Sequence, residues 1–318
     1  MRLLKLVPDD TNLDFLRWRK LAIAISTLLI LGSIALIAVR GLNFGVDFAG
    51  GQLIRVTFAQ PVSVDDLRDR VGDLGLGDPS IQEFGSSREV AIRLPLPEGG
   101  EAGANAAASR VRQSLVQQYP GSRIDAVETV SGKVSGELIR SGALALLLAM
   151  IGIAIYIWVR FEWQFGVGGL FSLFHDVTLT LGFFALTQME FDLNVIAALL
   201  TLIGYSLNDT IVIYDRVREN LRKYRKMPTT ELLDLSVNET LSRTVLTHVT
   251  TFLAMMPFVL VGGEAIFGFA LAMCWGIVIG AYSSIYVAAP LQLILGVKRD
   301  GGMTAAPAKT KAEARARA

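Results

Sequence analysis

Long apolar runs alternate with short polar connections over most of the chain, and the first run, residues 21–39, holds no charged side chain. At about 1.5 Å per residue it nearly spans a hydrocarbon core about 30 Å thick. The run exceeds the apolar stretch of about 7–15 residues in a cleaved leader, and no clear small-x-small site follows it, so it reads as an uncleaved anchor. Further spans are expected at 138–159, 165–187, 193–214, 244–261 and 266–290, which makes six membrane helices.

Segment 40–137 breaks this pattern, with the mixed charge of a small soluble domain. It reads as strand 52–58, helix 64–74, strands 80–84 and 89–94, helix 102–118 and strand 123–130, with Gly or Pro near most breaks. That βαββαβ order predicts a ferredoxin-like sandwich. Residues 95–105, rich in Pro, Gly and Glu, read as a mobile loop before its second helix. Between the fourth and fifth spans, 228–242 sets Leu232, Leu233, Leu235, Val237 and Leu241 among Glu231, Asp234 and Glu239, an amphipathic pattern expected to lie along the membrane surface. The expected fold class is an α-helical polytopic membrane protein with one exported α+β domain.

Composition agrees: 52% of the 318 residues are hydrophobic and 19% charged, and the mean hydropathy of +0.47 is too high for a soluble domain of this size. Lys plus Arg (30) nearly balance Asp plus Glu (29), so bulk charge gives no reason to expect nucleic acid as a partner. Position is more telling. Arg2, Lys5, Arg17, Arg19 and Lys20 precede the first span, Arg216, Arg218, Arg222, Lys223, Arg225 and Lys226 follow the fourth, and Lys298, Arg299, Lys309, Lys311, Arg315 and Arg317 follow the sixth. Basic segments stay on the cytoplasmic side. Residues 1–20 and 296–318 are then cytoplasmic, the latter as a basic solvated tail, and 40–137 is exported to the opposite side. The turns 188–192 and 262–265 carry Glu190, Asp192 and Glu264 without a basic residue, as the opposite side requires.

Catalytic chemistry has little material. The single cysteine, Cys274, excludes an intrachain disulfide, and His175 and His248 match no zinc spacing. No P-loop and no G-x-S-x-G turn occurs, so no enzyme activity, metal or cofactor is expected. The informative residues are polar ones inside the spans, where an ionisable group costs about 2.5–3.5 kcal/mol on insertion scales. Ser172, Asp176 and Thr180 share a face of the third span, with His175 beside them. Thr201, Tyr205, Asn208 and Asp209 form a stripe on the fourth, and Arg243, Thr247, Thr250 and Thr251 on the fifth. These stripes are expected to face one another. At about 1.5 Å per residue, Asp176 falls about 16 Å into its span, close to the midplane, and Asp209 about 7.5 Å from the cytoplasmic end of its own, where Arg243 could reach it. Two readings stay open: acids that load and release protons, or an Asp209–Arg243 ion pair and hydroxyl-bonded Asp176 that only fix helix packing. Gly276 and Gly280 on the sixth span suit close helix contact.

Three further runs carry a resemblance. They are Gly45-Val46-Asp47-Phe48-Ala49-Gly50-Gly51 after the first span, Phe161-Glu162-Trp163 between the second and third, and Gly204 to Arg216, which reads GYSLNDTIVIYDR. Together they closely resemble the SecD–SecF family of bacterial protein-export proteins, over residues 13–298. That family lies within the resistance-nodulation-division superfamily, in which two six-helix halves pair and protons move between their central helices. The resemblance implies a SecF-like half in the bacterial inner membrane, paired with SecD beside the SecYEG channel and YajC. It implies that the proton-motive force drives export of a translocating polypeptide. It also implies that Asp209 is the proton-pathway carboxylate with Arg243 as basic partner, and that Gly45, Asp47, Phe48, Gly50 and Gly51 form the family motif. From the polar stripes, Asn208 and Tyr205 join these candidates, with Asp176 as a lesser one. A passive docking subunit and half of a proton-coupled small-molecule exporter are the alternatives.

Overall fold

The computed structural model describes residues 7–8, 11–84, 86–96 and 100–297. The N-terminal residues Arg2 and Lys5, and the tail from Lys298 onward, lie outside that range. A 3-10 turn, Phe15–Trp18, leads into α1 (Arg19–Arg40), a two-residue strand β1 (Asn43–Phe44) and the single-turn helix α2 (Val46–Ala49). There follow β2 (Gly51–Thr57), α3 (Val64–Gly72), β3 (Ser80–Phe84), β4 (Ser86–Leu94), α4 (Gly100–Gln118) and β5 (Arg123–Val130). The remaining elements are α5 (Gly132–Arg160), α6 (Trp163–Thr187), β6 (Glu190–Phe191), α7 (Leu193–Lys223), α8 (Thr229–Val261) and α9 (Glu264–Ser283), which continues through a π-turn (Ser284–Ala288) into α10 (Ala289–Ile294). Among the described residues, six helical spans are long and apolar enough to cross a membrane.

β2 to β5 form an antiparallel sheet ordered β3-β4-β2-β5, in which the first and third strands of the βαββαβ unit are neighbours, as in a ferredoxin-like sandwich. Alternation sends Ile54, Val56, Val90, Ile92 and Leu94 to one face, where Leu67 and Val71 of α3 and Val111 and Leu115 of α4 cover them. Leu53 and Ala91 take the other face and meet Val46 of α2. The expected loop over 95–105 is shorter: the polar, Ala-rich stretch from Gly100 already belongs to α4, and residues 97–99 lie outside the described range.

In the bundle, α6, α7 and α9 take the centre and bury about half of their apolar stretches, whereas α5 and α8 leave most of theirs open. Gly276 and Gly280 let α9 approach α7 closely. A Cβ at Gly276 would stand 2.2 Å from the Leu202 side chain, and one at Gly280 would stand 3.4 Å from Ser206. The amphipathic segment 228–242 differs from its expected place along the membrane surface. It is the first half of α8, continuous with the fifth span, and its apolar face is covered by protein: Leu232, Leu233, Val237 and Leu241 pack with Leu16, Val217 and Leu221. Periodicity identifies an apolar helix face but not what covers it. Asp234 and Asn238 take the backbone N–H groups of Leu16 and Leu13, at 2.8 and 2.9 Å, and so fix the N-terminal turn against α8.

Candidate functional site

The polar face of α6 points into the bundle, as the four-residue spacing requires, with Ser172, Asp176 and Thr180 all buried. One oxygen of Asp176, Oδ2, accepts from Ser206 Oγ of α7 at 2.5 Å and from Ser283 Oγ of α9 at 2.8 Å. The other, Oδ1, lies 2.9 Å from His175 Nδ1. His175 is fully buried, its ring stacks on Tyr282, and its Nε2 has no partner among the described residues. One turn further along α7, Asp209 is held by Thr244 of α8, which donates to Oδ1 at 2.8 Å, and by Ser284, which donates to Oδ2 at 3.0 Å. Both carboxyl residues are only 5% exposed. Two acids on neighbouring helices are thus joined to one turn of a third through Ser283 and Ser284, where the helix widens into its π-turn.

The expected Asp209–Arg243 contact is absent in this conformation. Arg243 is exposed and makes no ion pair among the described residues, and the adjacent Thr244 reaches Asp209 instead. One residue along a helix turns the side chain by about 100°, so a position right in sequence gives the wrong face. The stripes therefore meet only in part. Tyr205 donates to the backbone oxygen of Thr247 at 3.1 Å and packs edge-on against His248. Thr201, Gly204, Asn208, Arg243 and Thr250 are exposed on the outer side of α7 and α8. The residues sequence reasoning missed are Ser206, Thr244, Ser283 and Ser284. Serine and threonine satisfy themselves on their own helix carbonyls, so they stand in apolar runs without a visible cost; the Ser283-Ser284 doublet was the available signal.

The glycine-rich motif builds a joint between the exported domain and the bundle. β1 pairs in parallel with β6, Asn43 opposite Glu190 and Phe44 opposite Phe191. Asp47 Oδ2 accepts the Leu193 N–H at 3.1 Å and Asp192 Oδ1 that of Val195 at 3.0 Å, so two acids cap the start of α7, where its dipole favours negative charge. Burial, with Glu190 and Asp47 close by, raises the Asp192 carboxyl above the ordinary aspartate range against these hydrogen bonds. Phe48 is buried against Phe191 with ring centres 5.9 Å apart. A Cβ at Gly45 would meet Glu190 Oε1 at 2.7 Å. Gly50 and Gly51 take φ of +71° and +117°, and a Cβ at Gly51 would stand 2.5 Å from the Leu94 carbonyl oxygen. From the domain, Arg93 pairs with Glu190 at 3.0 Å and donates to the Phe44 carbonyl at 2.8 Å.

Residues 111–298 match the family model described as protein export membrane protein SecD/SecF, C-terminal, and residues 35–62 match that of the SecD/SecF GG motif. The chain belongs to the SecD/SecF protein-export family. The protein translocase subunit SecF of Rhodobacter capsulatus is 45% identical over 93% of each chain, and that of Rickettsia felis 44% identical over 91% of this chain and 93% of its own. A crystal structure of SecDF, a translocon-associated membrane protein from Thermus thermophilus, matches with a TM-score of 0.84 at 33% identity, over 91% of this chain and 39% of the other. SecDF in a super-membrane-facing form matches with a TM-score of 0.68 at 32% identity, over 97% of this chain and 40% of the other. This SecD/SecF family member thus spans about two fifths of those SecDF chains. It is a multi-pass inner-membrane protein that serves Sec protein translocation.

Proposed function

We propose that this chain is the SecF half of a proton-driven export machine, itself without enzyme activity, which pairs with SecD next to SecYEG and YajC. Both termini are cytoplasmic in this reading and the α+β domain is periplasmic, where it grips an emerging polypeptide and prevents backsliding. The observation that carries it is Asp209: a carboxyl 5% exposed among apolar helices and held by two hydroxyls, with no basic partner among the described residues. A carboxylate fixed as a permanent anion in such surroundings needs a cation. One that exchanges a proton is served by hydroxyls, which donate to the anion and accept from the acid.

The rest of the molecule supplies a route from that acid to the domain. Asp209 lies in the middle of α7, and the start of α7 is capped by Asp47 of the joint to which Arg93 ties the sheet. The two SecDF structures match this chain at nearly equal identity but with TM-scores of 0.84 and 0.68, which supports more than one placement of domain and bundle in these relatives. The polar outer face of α7 and α8, Thr201, Asn208, Arg243 and Thr250, suits a second helical half supplied by SecD. Arg243 would enter the proton path in another state of that assembly, with Asn208 and Tyr205 beside it. One charge crossing 100 mV releases about 2.3 kcal/mol, enough to bias a two-state element and too little to drag a protein in one step, so repeated cycles are required.

The test is Asp209→Asn in the assembled complex, scored as completion of export after ATP-driven insertion is halted. Proton dependence is expected to disappear while assembly stays normal. Undiminished proton-dependent completion, or loss of assembly instead of turnover, would overturn the reading.

A further inference from the structure

We infer that Ser283 and Ser284 are positioning residues that couple Asp176 to Asp209 and let each acid change protonation state with its hydrogen bond to the serine kept. The inference rests on the proton-driven reading and goes beyond it by assigning the two hydroxyls that make the acids act as a pair.

Adjacent side chains on a helix diverge by about 100°, which lets one turn serve two neighbouring helices. Ser283 reaches Asp176 on α6 and Ser284 reaches Asp209 on α7, at 2.8 and 3.0 Å. Each hydroxyl also has a second acceptor in place. Ser283 Oγ lies 3.2 Å from the Gly280 carbonyl oxygen, and Ser284 Oγ lies 3.2 Å from that of Ala281. A hydroxyl carries one proton. When its carboxyl is ionised, the O–H points at the carboxylate. When the carboxyl takes up a proton, the acid O–H donates to the serine oxygen and the serine turns its own proton to the helix carbonyl. Neither state strands a donor, which is the condition for a low barrier between them in an apolar interior.

The helix is built for such a change at this point. The Ala289 N–H bonds to the Ser284 carbonyl oxygen across a π-turn, an irregularity that is costly in an ordinary span and concentrates at functional positions. Beside Asp176 and Thr180, walled by Leu199, Leu202 and Ile203, is a cavity of about 10 Å³, close to the minimum that holds one water. The other titratable groups nearby are few. Asp176 meets His175 on its own helix, with Tyr282 of α9 stacked on that ring. α1 brings the uncharged Ser26, bonded to Tyr282. Around Asp209 stand Tyr205 of α7 and His248 of α8, paired with each other, and the outward Arg243. None of these titratable groups bridges the acids; Ser206 joins Asp176 to α7, and Ser283 and Ser284 join both acids to one turn of α9.

The experiment measures the pH profile of proton-driven export in proteoliposomes holding the full chain in its complex, together with infrared titration of the carboxyl bands. Ser283→Ala and Ser284→Ala each remove a donor that favours the ionised acid, so each is expected to move its midpoint upward by about one pH unit. Ser283→Thr and Ser284→Thr are expected to restore the midpoint. If an alanine variant assembles poorly, the cysteine variant, a weak donor of similar volume, is read in its place. Unchanged midpoints in variants that assemble, or threonine variants that shift as far as alanine, would overturn the positioning role alone. Proton-driven export that survives Asp209→Asn would overturn the reading beneath it as well.

Discussion

A buried acid is defined by what surrounds it: Asp209 is held by hydroxyls from helices other than its own, and Asp176 by two such hydroxyls and by His175 of its own helix. Oxygen ligands of this kind tolerate both charge states, whereas a guanidinium at the same distance would hold the anion. The same reasoning at single-residue scale applies to Gly51. Its φ of +117° and the Leu94 carbonyl oxygen 2.5 Å from an added Cβ leave no room for alanine, and the oxygen is backbone held in the sheet. Gly51→Ala is expected to destabilise the exported domain by about 1–3 kcal/mol, a fall in its melting temperature of about 5 °C or more. Thermal melting of the full chain in detergent, followed by proteolysis of the exported domain, checks it. Gly50→Ala, with φ of +71° and no atom closer than 3.4 Å to the new Cβ, should cost less.

At the scale of the element, α7 connects the chemistry to the domain. It carries Asp209 and Ser206 in the bundle and is capped by Asp47 and Asp192. The raised Asp192 carboxyl has a definite stability signature. Folded, it binds its proton more tightly than unfolded, so it adds stability below the unfolded value near pH 4 and loses it as pH rises through the folded value. At pH 7 the buried charge is therefore a cost. Asparagine caps as well as aspartate and carries no charge. Asp192→Asn is expected to raise the melting temperature by about 2 °C at pH 7, with the difference shrinking toward pH 4. A melting series across pH tests this, and a gain that grows on acidification would contradict it. α8 makes a second point at this scale: its first half is an amphipathic helix whose apolar face is taken by α7 and the N-terminal turn, so no face is left for lipid.

At the scale of the whole molecule, one side of the bundle is unfinished. Thr201, Asn208, Arg243 and Thr250 are exposed together at membrane depth, where a polar surface without a partner is unfavourable. A cysteine at Asn208 in the assembled complex is expected to cross-link to the SecD subunit, while one at Val159, exposed on α5 away from that face, is not. Gel analysis of the products decides, and equal cross-linking from both positions would count against a partner on the α7–α8 face. The opposite end of the molecule is closed by the joint, where β1, β6, Asp47 and the Arg93–Glu190 pair fasten sheet to helices.

The six spans, the exported βαββαβ unit and the two acids were legible in the sequence because each leaves a local trace: a long apolar run, a sequence of short periodic segments, a charge where lipid forbids one. Contacts between elements leave none. Thr244 rather than Arg243 meets Asp209 because of the rotation of α8 about its axis, and no periodicity fixes that rotation. β1 and β6 are two residues each, too short to show a pattern, yet they pair across the whole domain and two spans. Ser283 and Ser284 look like tolerated polar residues until α6, α7 and α9 are packed around them. The sequence by itself determined which groups must be kept from lipid; only the tertiary structure decided what each is kept by, since hydrogen-bond partners on different helices depend on helix rotation and depth.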